Sequence, residues 1–311
     1  MTLAVYLAIY AGLLIFFVGC VRRIIQYAKM PIHLRWELYP VPHEEPSRVA
    51  HGGSYFETGD WWSKPSHSNR IGELRVMIPE MLFLKGLWEF NRRLWVPSFL
   101  FHFGLYLLIG AVVLVGFGAG LPLLAPSLAA SSFWIFLATL YRIVAYTGAT
   151  ISVLGALLLL LRRATDPDLK NYTKPADFFN LLLFIIAFGF VAAGYVVRPP
   201  GSASVGEMAR GLMRFDSSLH VSGVFGLGVV LTSAVVAYIP FTHMAHFIAK
   251  YFTYHAVRWD DRPNVRGGSI EATMAKYLAY RPTWSAKHVG ADGQKNWGEV
   301  ATTNPAQEVR K

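Results

Sequence analysis

Charged residues and cysteine are both scarce in this 311-residue chain. Asp, Glu, Lys and Arg together make up 15% of the residues, whereas an ordinary soluble protein has about 25%. Cys20 is the only cysteine, so this chain alone cannot form an internal disulfide, a cysteine-ligated zinc site, an iron–sulfur cluster or a covalently attached c-type haem. The ten histidines are therefore the only abundant metal ligands.

Apolar residues are plentiful, at 54% of the chain with a mean hydropathy of +0.37. Five segments contain about 20 or more mostly apolar residues, the length needed to cross a bilayer. They are approximately residues 3–21, 94–120, 133–161, 178–197 and 220–249. Arg22 and Arg23 follow the first segment, the reverse of a secretory signal, so we expect a retained helix. The predicted fold is all-α, an integral membrane five-helix bundle.

Lysine and arginine alternate between the connecting segments. Residues 22–93 contain eleven, 121–132 none, 162–174 four, 198–214 three and 250–311 ten. Since basic residues mark cytoplasmic loops, we predict a multi-pass protein of the bacterial cytoplasmic membrane with its N-terminus outside and its C-terminus in the cytoplasm. This distribution explains the net charge of +10 through topology and contact with anionic membrane lipid, and argues against nucleic acid as a partner.

These assignments divide the chain into four segments. Residues 1–21 form the first transmembrane helix, 22–93 a cytoplasmic loop, 94–249 a four-helix membrane domain that would bind haem, and 250–311 a cytoplasmic tail. Within the loop, Pro79 suits the first position of a helix that continues to residue 93. We predict that this helix lies at the cytoplasmic membrane surface.

Four histidines lie in or at the ends of the predicted spans: His102, His220, His243 and His246. Titratable groups at membrane depth are candidates for function because they are costly to place there. A helical rise of about 1.5 Å per residue puts His102 about 13 Å from Arg93, and His243 about 10 Å and His246 about 6 Å from Lys250. His102 and one of the other two can therefore be axial ligands of a b-type haem, and depth alone slightly favours His243.

Other residues near this level fit the same interpretation. Arg93 and Lys250 lie at the cytoplasmic ends of their spans, where they can pair with haem propionates. Gly104 lies close to His102, where a small residue either leaves room for a flat cofactor or simply lets two helices pack closely.

His220 lies 26 residues before His246, about 39 Å along a continuous helix. That distance exceeds a hydrocarbon core of about 30 Å, so His220 belongs at the outer surface. Asp216 is four residues earlier, on the same face if the helix extends that far. The two can accept protons from a quinol, with the carboxylate orienting the imidazole. Alternatively, Asp216 is only the N-cap of the fifth span.

Two short motifs resemble the gamma subunit of respiratory nitrate reductase: Phe101–His102–Phe103–Gly104 and residues 239–246, with the sequence IPFTHMAH. In that family a Phe–His–Ile–Gly-like segment and the last histidine of a Pro–Phe–Ser-like segment ligate the inner haem. The resemblance therefore implies that His102 and His246 ligate the haem iron, and it favours His246 over His243.

The resemblance also bears on a second, outer haem. Ser218–Leu219–His220 is similar to the segment that ligates the outer haem in that family. The position of the partner ligand is occupied here by Val112. The outer haem is accordingly missing, or it takes a non-histidine ligand such as Met208 or Met213, so the prediction is at least one haem b.

Three further segments resemble the cytochrome b subunits of sulfur-metabolising transmembrane complexes of sulfate-reducing bacteria, the Tmc, Hmc and Dsr types. They are residues 31–40, 259–263 and 284–288. This resemblance implies a cytoplasmic iron–sulfur partner related to heterodisulfide reductase. It also implies, as in several of these complexes, a periplasmic multihaem cytochrome c.

Together these inferences predict a membrane cytochrome b subunit of an anaerobic respiratory complex. It would pass electrons between menaquinone, or a periplasmic multihaem cytochrome c, and the cytoplasmic iron–sulfur subunit. It would be the electron-transfer subunit of a quinone-linked oxidoreductase complex and not catalytic alone. The alternative is a cofactor-free membrane anchor of a redox complex. A transporter is disfavoured because two halves with paired Gly- or Pro-interrupted spans are not evident.

Overall fold

A computed structural model describes residues 1–30, 42, 44–51, 54–65, 69–127, 131–254, 257 and 262–304. The described residues form two compact units, the second of which holds residues 55–65 and 262–304 and the first of which holds the rest. Two of the resemblance segments, residues 31–40 and most of 259–263, lie outside the described residues. The structure is mostly helical, which confirms the predicted class.

The first unit contains eleven helices among the described residues. In chain order they are α1 (Thr2–Ala28), α2 (Pro46–His51), α3 (Arg70–Leu82), α4 (Lys85–Phe90), α5 (Arg92–Leu124), α6 (Ser132–Thr165), α7 (Pro167–Lys170), α8 (Pro175–Val196), α9 (Val205–Arg214), α10 (Gly223–Tyr238) and α11 (His246–Thr253). Helices α1, α5, α6, α8 and α10 are long and apolar enough to cross a membrane, as predicted. The direction of the spans stays a prediction.

The second unit consists of short elements. They are 3₁₀ turns at Tyr55–Glu57, Trp61–Ser63 and Lys287–Val289, helices α12 (Ser269–Leu278) and α13 (Trp297–Thr302), and strands β1 (Ser285–Ala286) and β2 (Ala291–Asp292). The strands pair antiparallel, with Ser285 opposite Asp292. The rings of Trp284 and Trp297 lie 5.6 Å apart. Most of the resemblance segment 284–288 therefore falls on this small hairpin.

Two apolar clusters hold the long helices together. The first joins α5, α6, α8 and α10 through Phe101, Ala156, Leu159, Leu181, Phe184, Ala187 and Val235. The second joins α1, α9 and α10 through Val5, Tyr6, Met208, Val221 and Phe225. We call the end of the bundle where α5 and α8 begin the histidine end, because His102 and His246 lie there. The second cluster lies at the opposite end.

Helices α5 and α6 approach each other closely at Gly104. A Cβ atom added there would press into the backbone nitrogen of Ser152 and lie 2.6 Å from the carbonyl oxygen of Gly148. The hypothesis that Gly104 leaves room for a cofactor is therefore wrong, because the backbone of α6 already fills that space. The alternative, that the glycine lets two helices pack, is confirmed.

The predicted surface helix from residue 79 to residue 93 has different bounds. Helix α3 begins at Arg70, where the side chain of Asn69 accepts a hydrogen bond from the Gly72 nitrogen, and it contains Pro79 internally. It ends at Leu82, and Leu84 adopts a left-handed conformation before α4 starts. The helix start is therefore marked by Asn69, a residue type that commonly caps helix N-termini, and not by Pro79.

The fifth predicted span, residues 220–249, is interrupted. Helix α10 covers only Gly223–Tyr238, and 3₁₀ turns at Ile239–Phe241 and His243–Ala245 separate it from α11. Pro240 accounts for the break, since it lacks an N–H and its ring clashes with the preceding turn of a helix. Depths calculated along one continuous helix from His220 to His246 are therefore wrong, because the chain changes direction between them.

Candidate functional site

His102 is fixed in orientation by its own helix and by α8. Its neighbour Phe101 packs edge-on against Phe184, with ring centroids 5.3 Å apart, and both belong to the first apolar cluster. The Nδ1–H of His102 donates to the carbonyl oxygen of Ser98, one turn earlier, at 2.7 Å. Because a carbonyl only accepts, this bond puts the proton on Nδ1 and leaves the Nε2 lone pair free.

The break after α10 brings His246 to the same level. After Pro240, Thr242 takes an extended conformation and its hydroxyl accepts from the Met244 nitrogen at 3.1 Å. The Nε–H of Arg23, on α1, donates to the Pro240 carbonyl at 2.8 Å. These contacts satisfy polar backbone groups that the break releases, and they hold His246 at the first position of α11.

The imidazole rings of His102 and His246 lie close together in an edge-to-face arrangement. Their ring centroids lie 5.9 Å apart and their planes make an angle of 72°. The Nδ1–H of His246 donates to the His243 carbonyl at 3.1 Å, so its Nε2 is also free to ligate. A backbone carbonyl on the non-ligating nitrogen is the usual partner of a metal-binding histidine.

The separation of the rings fits a shared metal ion. Metal–imidazole bonds are about 2 Å long, so two imidazoles on opposite sides of one ion have ring centroids roughly 6 Å apart. Among the described residues, no group of three or more His, Cys, Asp or Glu side chains is placed to hold a bare ion. A two-imidazole set suits an iron whose other four ligands are porphyrin nitrogens. The residues present therefore fit a bis-histidine haem.

His243 points away from this pair. Its Nε2 lies 3.4 Å from Oδ1 of Asp177 and 3.4 Å from Nδ2 of Asn180, both at the start of α8. In this arrangement it supplies the carbonyl that orients His246, while its own ring is held by α8. The geometry therefore favours His246 over His243, the opposite of what depth along the helix favoured.

Lys250 and Arg93 differ in their surroundings. The Nζ of Lys250 lies 2.6 Å from Oε1 of Glu80 on α3 and 4.5 Å from the ring of Tyr254. The side chain of Glu80 is only 10% exposed, so this pair is largely shielded from solvent. Burial and the nearby Glu80 raise the pKa of Tyr254. Arg93 is exposed at the first turn of α5.

Helix α3 ends beside His102. The hydroxyl of Tyr106, whose ring lies 6.5 Å from that of His102, donates to the Met81 carbonyl at 2.9 Å. The indole N–H of Trp95 donates to the Phe83 carbonyl at 2.7 Å. Together these bonds occupy carbonyls that the end of α3 leaves open. The sequence analysis missed Tyr106, although it lies one turn after His102 on the same helix.

Asp216 and His220 do not share a helix face. Both lie between α9 and α10, in residues that are not helical, and the N-cap of α10 is Ser222. The carboxylate of Asp216 instead accepts from the hydroxyl and the nitrogen of Ser218, at 2.6 and 2.9 Å. These bonds lower its pKa. The two premises, a shared face and an Asp216 cap, are therefore wrong, and any role of His220 as a proton acceptor stays a prediction.

The three positions named for an outer haem differ in their surroundings. Met208 is buried in the second apolar cluster, where the Tyr6 hydroxyl donates to its carbonyl at 3.4 Å. Met213 is 45% exposed, and Val112 is 72% exposed on α5.

Five long apolar helices with a close pair of imidazoles at one end define a multi-pass helical membrane protein of the cytochrome b type. The model of the nitrate reductase gamma subunit family matches residues 87–260, more than half of the chain. The chain therefore belongs to the nitrate reductase gamma subunit family. Its members are membrane cytochromes that bind haem b and serve as subunits of respiratory redox complexes. Comparison with curated proteins finds no match.

Proposed function

We propose that His102 and His246 are the axial ligands of one haem b, and that the chain is the electron-transfer subunit of a respiratory complex. The observation that carries the proposal is the close pair of imidazoles, 5.9 Å apart, each with its Nδ1 bound to a backbone carbonyl. Membership of a family of membrane cytochromes supports the same assignment.

A haem in this place supplies one-electron redox chemistry, and the protein supplies position and surroundings. The Ser98 and His243 carbonyls fix the tautomer of each ligand and prevent either ring from rotating. The first apolar cluster packs α5 against α8 and so supports the backbone beside His102. Helix α3, joined to α5 by Tyr106 and Trp95 and to α11 by the Glu80–Lys250 pair, covers the site on another side.

The test is a reduced-minus-oxidised absorbance spectrum of the purified full-length chain. The wild type should show a low-spin b-type signal, and His102→Ala should lose it. His220→Ala is the matched control, because that histidine lies at the other end of the bundle and should leave the signal intact. A colourless wild-type protein would favour the alternative of a cofactor-free anchor.

The electron partners are a further part of the proposal. We infer menaquinone, or a periplasmic multihaem cytochrome c, on one side and a cytoplasmic iron–sulfur subunit related to heterodisulfide reductase on the other. The support is the resemblance of residues 31–40, 259–263 and 284–288 to subunits of sulfur-metabolising complexes. Affinity purification from a sulfur-metabolising anaerobe, followed by mass spectrometry, should recover an iron–sulfur protein with the chain. Recovery of a molybdenum-enzyme partner instead would contradict this choice.

Two smaller proposals concern the partner of a haem propionate and the proton acceptor for a quinol. Arg93 is exposed and can pair with a haem propionate, whereas Lys250 would first have to leave Glu80. His220 is the candidate proton acceptor for a quinol without help from Asp216. Replacing His220 with Ala should slow haem reduction by a menaquinol analogue, and an unchanged rate would end this hypothesis.

A further inference from the structure

A cavity lies at the end of α5 that is far from His102. It has a volume of about 130 Å³ and lies between α5, α6 and the short helix α9. Its lining includes Gly118, Trp134, Tyr141, Arg142, Glu207 and Arg210. The bis-histidine site uses none of these residues.

The cavity carries an excess of positive charge. Arg142 and Arg210 line it, and in the part of the chain that the structure describes neither lies within 4.0 Å of a carboxylate oxygen. The one acid in the lining, Glu207, is already engaged, because the nitrogen and hydroxyl of Ser204 donate to its carboxylate at 2.8 and 2.7 Å. Its charge stabilises the first turn of α9.

The arginines contact aromatic groups. The guanidinium of Arg210 lies 5.6 Å from the ring centroid of Trp134. Arg198, at the end of the neighbouring α8, lies 4.7 Å from the ring centroid of Tyr195. Contacts with ring faces leave N–H groups in the guanidinium plane available for an anion.

The position of Arg142 along α6 places this charge near a membrane surface. It is ten residues after the start of α6 at Ser132, about 15 Å along the axis. The helix has 34 residues and is about 51 Å long, which exceeds a hydrocarbon core of about 30 Å. Phe136, six residues before Arg142, and Ile143, the residue after it, are 58% and 59% exposed, as expected for a surface that faces lipid chains.

We propose that this cavity binds the phosphate headgroup of an anionic phospholipid. Arg142 and Arg210 would donate to the phosphate oxygens, and the acyl chains would lie along Phe136 and Ile143. The net positive charge of the lining favours an anionic lipid over one whose headgroup carries a cation, because a cationic headgroup would be repelled. The proposal requires only that the helices span a membrane, so it stands or falls separately from the haem assignment.

The test is native mass spectrometry of the full-length chain, delipidated in detergent and titrated with phosphatidylglycerol or phosphatidylcholine. The wild type should retain phosphatidylglycerol preferentially, and Arg142→Gln should weaken its retention roughly fivefold. Arg142→Lys keeps the charge and should keep most of the binding. Arg214→Gln removes a positive charge from the same end of the bundle but outside the cavity, and should bind like the wild type.

Four results would overturn the proposal. The first is equal retention of phosphatidylglycerol by the wild type and a folded Arg142→Gln variant, with folding checked by circular dichroism. The second is equal retention of the two lipids by the wild type. The third is displacement of the lipid by inorganic phosphate alone, which would mark a site for a free anion. The last is Arg142-dependent binding of a quinone analogue when lipid binding does not depend on Arg142.

Discussion

The pair formed by α5 and α6 is built differently at its two ends. Near the histidine end, added Cβ atoms on Gly104 and Gly155 would press into the backbone of the opposite helix. Further along α5, Gly110 and Gly116 have no neighbouring atom within 4 Å of such a Cβ, and a cavity lies between the helices. One end is packed backbone to backbone, and at the other, which we call the open end, an added Cβ atom on Gly118 would contact only the ring of Trp134 on α6 beside the cavity.

The charges differ in the same way. At the histidine end Lys250 pairs with Glu80, and the His243 ring lies beside Asp177. At the open end Arg142 and Arg210 face a cavity and aromatic rings. A permanent cofactor needs ligands that do not move, whereas an exchangeable ligand needs accessible space and unneutralised charge. This difference supports the two proposals, a haem at the histidine end and an exchangeable lipid at the open end.

The largest effect should come from filling the close contact between α5 and α6. Gly104→Ala should destabilise the protein by about 3 kcal/mol, because backbone atoms of α6 cannot move aside as a flexible side chain would. The control is Gly110→Ala on the same helix, which adds the same methyl group to open space. Thermal unfolding in detergent measures both. Equal midpoints for the two variants would mean that the packing difference is not real.

A smaller effect should follow from breaking the shielded ion pair. Glu80→Gln leaves Lys250 without its partner and should cost about 2 kcal/mol, less than a fully buried pair because Lys250 is 35% exposed. The control is Glu89→Gln, since Glu89 pairs with Lys85 at 3.5 Å with both side chains about half exposed. That pair should contribute at most about 0.5 kcal/mol. If chemical denaturation gives the same loss of unfolding free energy for both variants, the Glu80–Lys250 pair stabilises the protein no more than an exposed pair.

At the open end, the start of α9 offers a third comparison. Ser204→Ala should cost about 1 kcal/mol, because the hydroxyl accepts from the Glu207 nitrogen at 3.2 Å and is the N-cap. Ser204→Asp, which keeps an acceptor, should lose less. If Ser204→Ala lowers the free energy of unfolding by more than Glu80→Gln does, the expected order of the two effects is wrong.

The smallest effect concerns pH. The backbone and hydroxyl hydrogen bonds from Ser204 lower the pKa of Glu207. A lowered pKa in the folded state stabilises the protein above the unfolded pKa, and this contribution disappears as the pH falls through the folded value. The difference in melting temperature between the wild type and Glu207→Gln should therefore shrink as the pH is lowered from 7 towards the acid range. A difference in melting temperature that grows in acid would show that the folded state does not lower the pKa of Glu207.

The five spans were predictable because each is a long apolar run, and hydropathy responds to composition alone. The break in the fifth span was not, since residues 239–249 remain mostly apolar and only Pro240 marks the change of direction. The bounds of α3 were missed for a related reason. Pro79 is a common first residue of helices, but here tertiary contacts from Tyr106 and Trp95 decide where the helix ends.

The site was partly predictable. The cost of a titratable group at membrane depth pointed to His102 and to one of His243 and His246, and the family resemblance favoured His246. Depth slightly favoured His243, because a depth along one continuous helix cannot include the break, after which the His243 ring lies beside α8. Asp177 contacts His243 and Glu80 contacts Lys250, and the members of each pair lie far apart in sequence. No local sequence pattern could therefore predict these contacts.

The most direct measurement compares His246→Ala with His243→Ala in the same purified protein. The low-spin b-type absorbance and the haem-to-protein ratio should both collapse in His246→Ala. In His243→Ala they should remain close to the wild type, since the orienting contact there is a backbone carbonyl that survives the substitution. Loss of haem in His243→Ala with retention in His246→Ala would contradict the account.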